Sequence, residues 1–148
     1  MFVNKVGVIV YDPLNKKILT ISNQFGDNIG IPKGTWDDTD ATCYDGALRE
    51  LKEETGLSFG ENKPPVHSEI YIRTHECLLF VIHLENGCDT ADVCAPQTEN
   101  IYHVQWMTCD EIIANISRCN YTLRKQTRRG KTNKINPKIQ LLFRTTCE

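Results

Sequence analysis

Residues Tyr44 to Leu57 read YDGALRELKEETGL. At about 100° per residue, Tyr44, Ala47, Leu48, Leu51 and Thr55 gather on one helical face, which predicts a packed side, with Glu50, Glu53 and Glu54 presented on the opposite one. Glu50 stands one turn before both Glu53 and Glu54, so like charges repel, and the last turn carries acids where the helix macrodipole favours cations. Gly56 suits the left-handed position that ends such a helix. A solvated acidic face is one reading of this stretch. The other is functional, because local rules broken together mark sites, and converging carboxylates are the oxygen donors that Mg²⁺ or Mn²⁺ requires.

Outward from the helix the chain reads as short strands. Val3 to Tyr11 and Lys17 to Ser22 flank the turn sequence Asp12-Pro13-Leu14-Asn15, which predicts a hairpin. Gly26 to Lys33 reads as a loop with a short strand at Ile29 to Ile31, and Gly34 to Thr42 as acidic and irregular. Val66 to Arg73 and Glu76 to Leu84 are two strands joined by a tight turn, and the polar stretch Glu85 to Thr98 returns to a strand at Ile101 to Met107. Thr108 and Glu111 form a capping box for a helix to about Ile116. Arg118 to Ile135 lacks periodicity, and Asn136-Pro137 starts a last helix carrying Ile139, Leu141, Leu142 and Phe143. Periodicity alone gives an α/β or α+β class, with no internal repeat and no second domain.

The 148 residues suffice for one core, and an apolar share of 40 % with 24 % charged excludes disordered, collagen-like and coiled-coil chains. The apolar run Val6 to Tyr11 is far short of a bilayer span, and no signal peptide is visible. Seven cysteines, an odd count without zinc-finger spacing, fit reduced thiols in a cytosolic-type compartment. Residues 1–111 hold 8 Lys and Arg against 18 Asp and Glu, whereas residues 112–148 hold 9 against Glu148 alone. An acidic body that holds cations beside a basic segment that holds polyanions fits this asymmetry.

The string Arg49-Glu50-Leu51-x-Glu53-Glu54-x-Gly56-Leu57 matches the second half of the Nudix box, REUxEExGU with U aliphatic, at every fixed position. Pro32-Lys33-Gly34 lies where that family has its turn before the box. Six residues on from Gly34 stands Asp40, while eight back from Arg49 stands Ala41, so the loop is one residue longer than the pattern and Asp40 takes the place of the usual Glu. The chain resembles a Nudix hydrolase. That resemblance implies an α/β/α sandwich with a mixed central sheet and a catalytic box helix, as one domain over residues 1–148 with the box at 34–57 and a basic segment at 118–144. It further implies that Glu50, Glu53 and Glu54 bind two or three Mg²⁺ or Mn²⁺ ions, with the Lys33 carbonyl as an added ligand and Arg49 orienting the carboxylates. The ions would neutralise a pyrophosphate and activate the attacking water. Some members use a box glutamate as general base and others an acid ahead of the strand that ends in Trp, a place that Glu99 matches here.

For the substrate, a Pro-Lys-Gly turn is typical of mRNA-decapping and dinucleoside-polyphosphate members, and Glu99, Ile101 and Trp106 resemble the decapping pattern, including that of large DNA viruses. Arg124, Lys125, Arg128, Arg129 and Lys131 belong to a run from Arg118 to Lys138 without one acid, suited to following an RNA backbone. Phe25 and Trp36 are candidates for stacking on a base, against the commoner role of packing. The leading expectation is hydrolysis of the 5′ cap of mRNA, releasing 7-methylguanosine diphosphate in the cytoplasm, or a host cell's cytoplasm. The alternative is hydrolysis of dinucleoside polyphosphates or nucleoside triphosphates. A non-catalytic nucleotide- or RNA-binding module would gain nothing from three mutually repelling carboxylates.

Overall fold

The computed structural model describes residues 2–22, 29–84 and 103–114. The hairpin forms as β1 (Lys5–Asp12) and β2 (Lys17–Ser22). Asp12 fixes its turn by accepting from the backbone N–H of Leu14 at 3.0 Å and the side-chain amide of Asn15 at 2.8 Å. β3 (Lys33–Thr35) precedes helix α1 (Cys43–Thr55), and β4 (Ser68–Ile72), a single 3₁₀ turn at Arg73–His75 and β5 (Cys77–His83) follow. β6 (His103–Thr108) leads into helical residues 109–114, whose start is capped as expected by Thr108, accepting from the Glu111 N–H at 3.1 Å. Among the described residues no helix is long and apolar enough to cross a membrane.

The strands make one six-stranded sheet in the order β4-β5-β1-β2-β6, with β3 on β1. β1 runs parallel to β5 from Lys5 opposite Cys77 to Tyr11 opposite His83, and every other pairing is antiparallel, so the sheet is mixed. β1 shares one edge between two partners: β2 takes Tyr11 and Asp12, and β3 takes Lys5 to Gly7. Side chains alternate across β1. Val6, Val8 and Val10 pack with Ala47 and Leu51 of α1, while Ile9 packs on the other face with Leu79, Met107 and Ile112. Helical layers therefore cover both faces of the sheet.

Two expectations are corrected. The strand expected at Ile29 to Ile31 is a single bridge, Gly30 to Ile21, and the true strand is Lys33–Thr35, which fills the free edge of β1. Ile29 and Ile31 are buried for packing, not for pairing. Thiols are not uniformly reduced: Cys43 and Cys77 are free, but Cys109 is disulfide-bonded. The expected loop at 85–98 and last helix from Asn136 lie outside the described residues.

Gly7 is where β1, β3 and β5 crowd. A Cβ there would stand 2.8 Å from Leu79 Cδ2, Lys33 Cβ and the Pro32 carbonyl oxygen, and a backbone atom cannot swing aside. Gly7→Ala is expected to destabilise the fold by about 1 to 3 kcal/mol in denaturant titration, the range for overpacking.

Candidate active site

Helix α1 begins at Cys43 because the Thr42 hydroxyl accepts from the Asp45 N–H at 3.1 Å, and it ends where Gly56 takes φ 77° and donates its N–H to the Lys52 carbonyl. The acids are not on a solvated far side, as the sequence pattern predicted. The Glu50 side chain is only 13 % exposed, Glu54 is mostly buried, and Glu53 alone, at 55 %, faces water. One Oε2 oxygen of Glu54 accepts from the backbone N–H of Lys33 at 3.1 Å, so the box helix docks on β3 through an acid.

Arg49 gathers the rest. Its Nε and Nη2 donate to the two oxygens of Asp40 at 2.9 and 3.0 Å, a bidentate pair, and Nη2 also reaches the Thr35 carbonyl at 3.2 Å. Its Nη1 donates to Glu50 at 3.1 Å and to Glu53 at 3.2 Å. One guanidinium thus ties the loop acid Asp40 to two box glutamates. Asp40 is 7 % exposed, and its turn is set by the backbone N–H of Asp37, which donates back to Asp40 Oδ2 at 3.1 Å. The missing side chain at Gly46 makes room, since a Cβ there would stand 2.9 Å from Asp40 Oδ2.

The electrostatics follow from burial and from this guanidinium. Hydrogen bonding to Arg49 holds the Asp40 carboxyl below its ordinary range and raises the Arg49 guanidinium above its own. Burial raises Glu50, with Glu53 adding to the shift. Burial pushes Glu54 up to about 8, against the Lys33 N–H, which favours its charged form. Two carboxyl groups are thus raised above their ordinary range by burial, with neighbouring glutamates adding to the shift. Three carboxylates beside a backbone strand are chemically the donor set of a hard divalent cation, which would hold them ionised. Among the described residues, however, no three side chains already converge as a coordination shell, and Arg49 donates to Glu50 and Glu53.

Of the other candidates, Lys33 meets Glu54 through its N–H. Trp36 is half-buried against the α1 side of the core and gives its indole N–H to the Val3 carbonyl at 2.8 Å, the bonding of a packed residue. Phe25, Glu99, Arg124, Lys125, Arg128, Arg129 and Lys131 lie outside the described residues. Asp40→Asn keeps the shape and removes the charge that holds Arg49. Turnover is expected to fall about 10- to 100-fold, as when a residue that orients a metal ligand is lost, with kcat affected more than KM. Unchanged steady-state rates would show Arg49 to be held well enough without it.

Comparison with known proteins extends the likeness beyond the box. No curated protein matches the sequence. Among solved structures, the chain is similar to a C. elegans Ap4A hydrolase in a binary complex, at 19 % identity over 83 % of this chain and 95 % of that one, with a TM-score of 0.54. It is also similar to a NUDIX hydrolase from Nitrosomonas europaea, at 19 % identity over 76 % of each chain and a TM-score of 0.49. The first of these likenesses supports the fold. The NUDIX domain family model matches residues 1–128, most of the chain and all of the acid site, and so the chain belongs to the Nudix family, as a hydrolase of pyrophosphate bonds.

Proposed function

We propose that this Nudix hydrolase cleaves the polyphosphate bridge of a dinucleoside polyphosphate. The observation that carries the chemistry is the acid helix itself, where Glu54 is buried against β3 and Glu50 and Glu53 are held by one arginine. For the substrate, the support is the shared fold of a relative described as an Ap4A hydrolase, and the Pro32-Lys33-Gly34 turn fits this substrate and capped RNA alike. Bound Mg²⁺ or Mn²⁺ would neutralise the bridging phosphates and activate water. Glu50, Glu53 and Glu54 would hold the ions, with the Lys33 carbonyl as an added donor. Arg49 fixes where two of these carboxylates point, and Asp40 fixes Arg49. Glu99, just ahead of β6 in sequence, is proposed as the acceptor of the proton that the attacking water loses.

Capped RNA is a second reading, carried by one observation: the run from Arg118 to Lys138 holds no acid. The comparisons lend it no specific support. Diadenosine tetraphosphate, a nucleoside triphosphate and cap-labelled RNA, incubated in parallel with Mg²⁺ or Mn²⁺, separate the readings by their products. The proposal expects nucleotides from diadenosine tetraphosphate, at a rate little changed by neutralising Arg128 and Arg129. Release of 7-methylguanosine diphosphate from RNA alone, weakened by those substitutions and steeply by salt, would replace it with decapping.

A further inference from the structure

On the sheet face away from α1, a cleft of about 430 Å³ opens between the far ends of β1 and β5 and the residues leading into β4. Its wall is a run of three rings. Tyr11 meets His83 edge-on at 5.4 Å, and His83 stacks on His67 at 3.9 Å with the planes 20° apart. The His67 backbone N–H donates to the Val81 carbonyl at 2.8 Å, which anchors this stack to β5. Ile18 and Val81 form an apolar floor, and Ser68 stands at the rim. Tyr11 lies four residues along β1 from Gly7, the partner of Lys33, or about 13 Å at strand rise. It packs in the cluster on the opposite side of the sheet from α1. The cleft is separate from the acid site.

We propose that this cleft is a second, non-catalytic site for a purine nucleoside. The volume is in the range of small-molecule pockets and far larger than an ion needs. One face of the His67 ring is covered by His83, and the residue as a whole is exposed at the cleft. In a chain with 19 acidic residues, no carboxylate is among the described residues lining the cleft, so those residues offer no charged oxygen donor to a hard cation such as Mg²⁺. A planar base stacks on the ring, its edge within reach of the Ser68 and Tyr11 hydroxyls, and its sugar points outward.

The chain has four histidines, at 67, 75, 83 and 103, which makes ring NMR a direct readout. The purified full chain, with EDTA to remove divalent ions, is titrated with adenosine, AMP and ribose 5-phosphate. The expected result is saturable movement of the His67 and His83 ring signals with adenosine and AMP, sparing His75 and His103. His67→Ala is expected to weaken binding about tenfold or more, the order of one lost base stack. His67→Phe retains it, and both variants hydrolyse substrate as the native chain does. No movement of the His67 and His83 signals overturns the proposal, as does an equal response to ribose 5-phosphate, which would make this an anion site. Loss of hydrolysis in the substrate assay with the NMR response intact would instead refute only the catalytic reading.

Discussion

Glu54→Gln is expected to abolish turnover, by about a thousandfold or more, while leaving the protein folded. A lost metal-held charge is worth several kcal/mol in the transition state, and each 1.36 kcal/mol is tenfold in rate. The amide keeps the shape and can still accept from the Lys33 N–H through its oxygen. Stability gives an independent readout in metal-free protein. The Glu54 carboxyl is pushed up to about 8 from an ordinary 4.5 by burial, so the folded state holds its proton more tightly than the unfolded chain does. The stability this contributes is fully present below pH 4.5 and is lost as pH rises toward 8, on the order of a few kcal/mol. In EDTA the native chain should therefore lose stability across that window, and Glu54→Gln should lose less, since only the smaller contribution of the raised Glu50 carboxyl remains. Above pH 8 the variant should be the more stable of the two. Mg²⁺ or Mn²⁺ should raise the Tm of the native chain most at high pH, where the acid is already ionised. A variant that retains substantial activity removes Glu54 from the catalytic set. Equal pH profiles in EDTA would mean that Glu54 is ionised in the folded protein without a metal.

The hairpin, the paired strands and the box helix are legible in the sequence because their periodicity and caps agree. Asp12 makes the expected turn and Gly56 the expected left-handed end. The site was legible through its violations, since three acids in two turns with two near the C-terminus serve no stabilising purpose. Where the acids point was not. At about 100° per residue, Glu54 falls only about 20° from Ala47, on the packed side. Solvation of a carboxylate is the ordinary expectation, and tertiary structure overrides it through the N–H of Lys33. β3 gave no signal either, because Lys-Gly-Thr has little strand character and pairs only where β1 leaves an edge that β2 does not use. The longer loop was visible by counting, but not that an Asx-type turn at Asp37 to Asp40 would bring a shorter acid to two of the guanidinium nitrogens of Arg49, Nε and Nη2. The disulfide of Cys109 could not be deduced, since seven cysteines leave many pairings open.

Gly34→Ala separates positioning from folding most sharply. A Cβ at Gly34 would overlap the carboxyl carbon and both oxygens of Glu50. These atoms are the free end of a flexible side chain, so the carboxylate swings aside while the backbone stays, and the expected loss of stability is on the order of 1 kcal/mol. The displaced carboxylate leaves the Arg49 Nη1 that holds it at 3.1 Å. A shift of about 1 Å in such a group can reduce rate about a hundredfold. Turnover should therefore fall by about that factor in a protein whose Tm drops by only about 2 to 4 °C. Gly7→Ala should show the reverse, since its clash includes backbone away from the acids. The two substitutions act on neighbours in the β1–β3 register, Gly7 opposite Lys33 and Val6 opposite Gly34, so their opposite outcomes would not reflect distance from the site. The double variant Gly34→Ala, Glu50→Gln completes the test. If Gly34 acts only by leaving room for Glu50, its substitution should add almost nothing once Glu50 is already disabled, and the two effects should be strongly non-additive. Additive losses would mean that Gly34 serves the reaction by another route, through β3 or through the substrate itself.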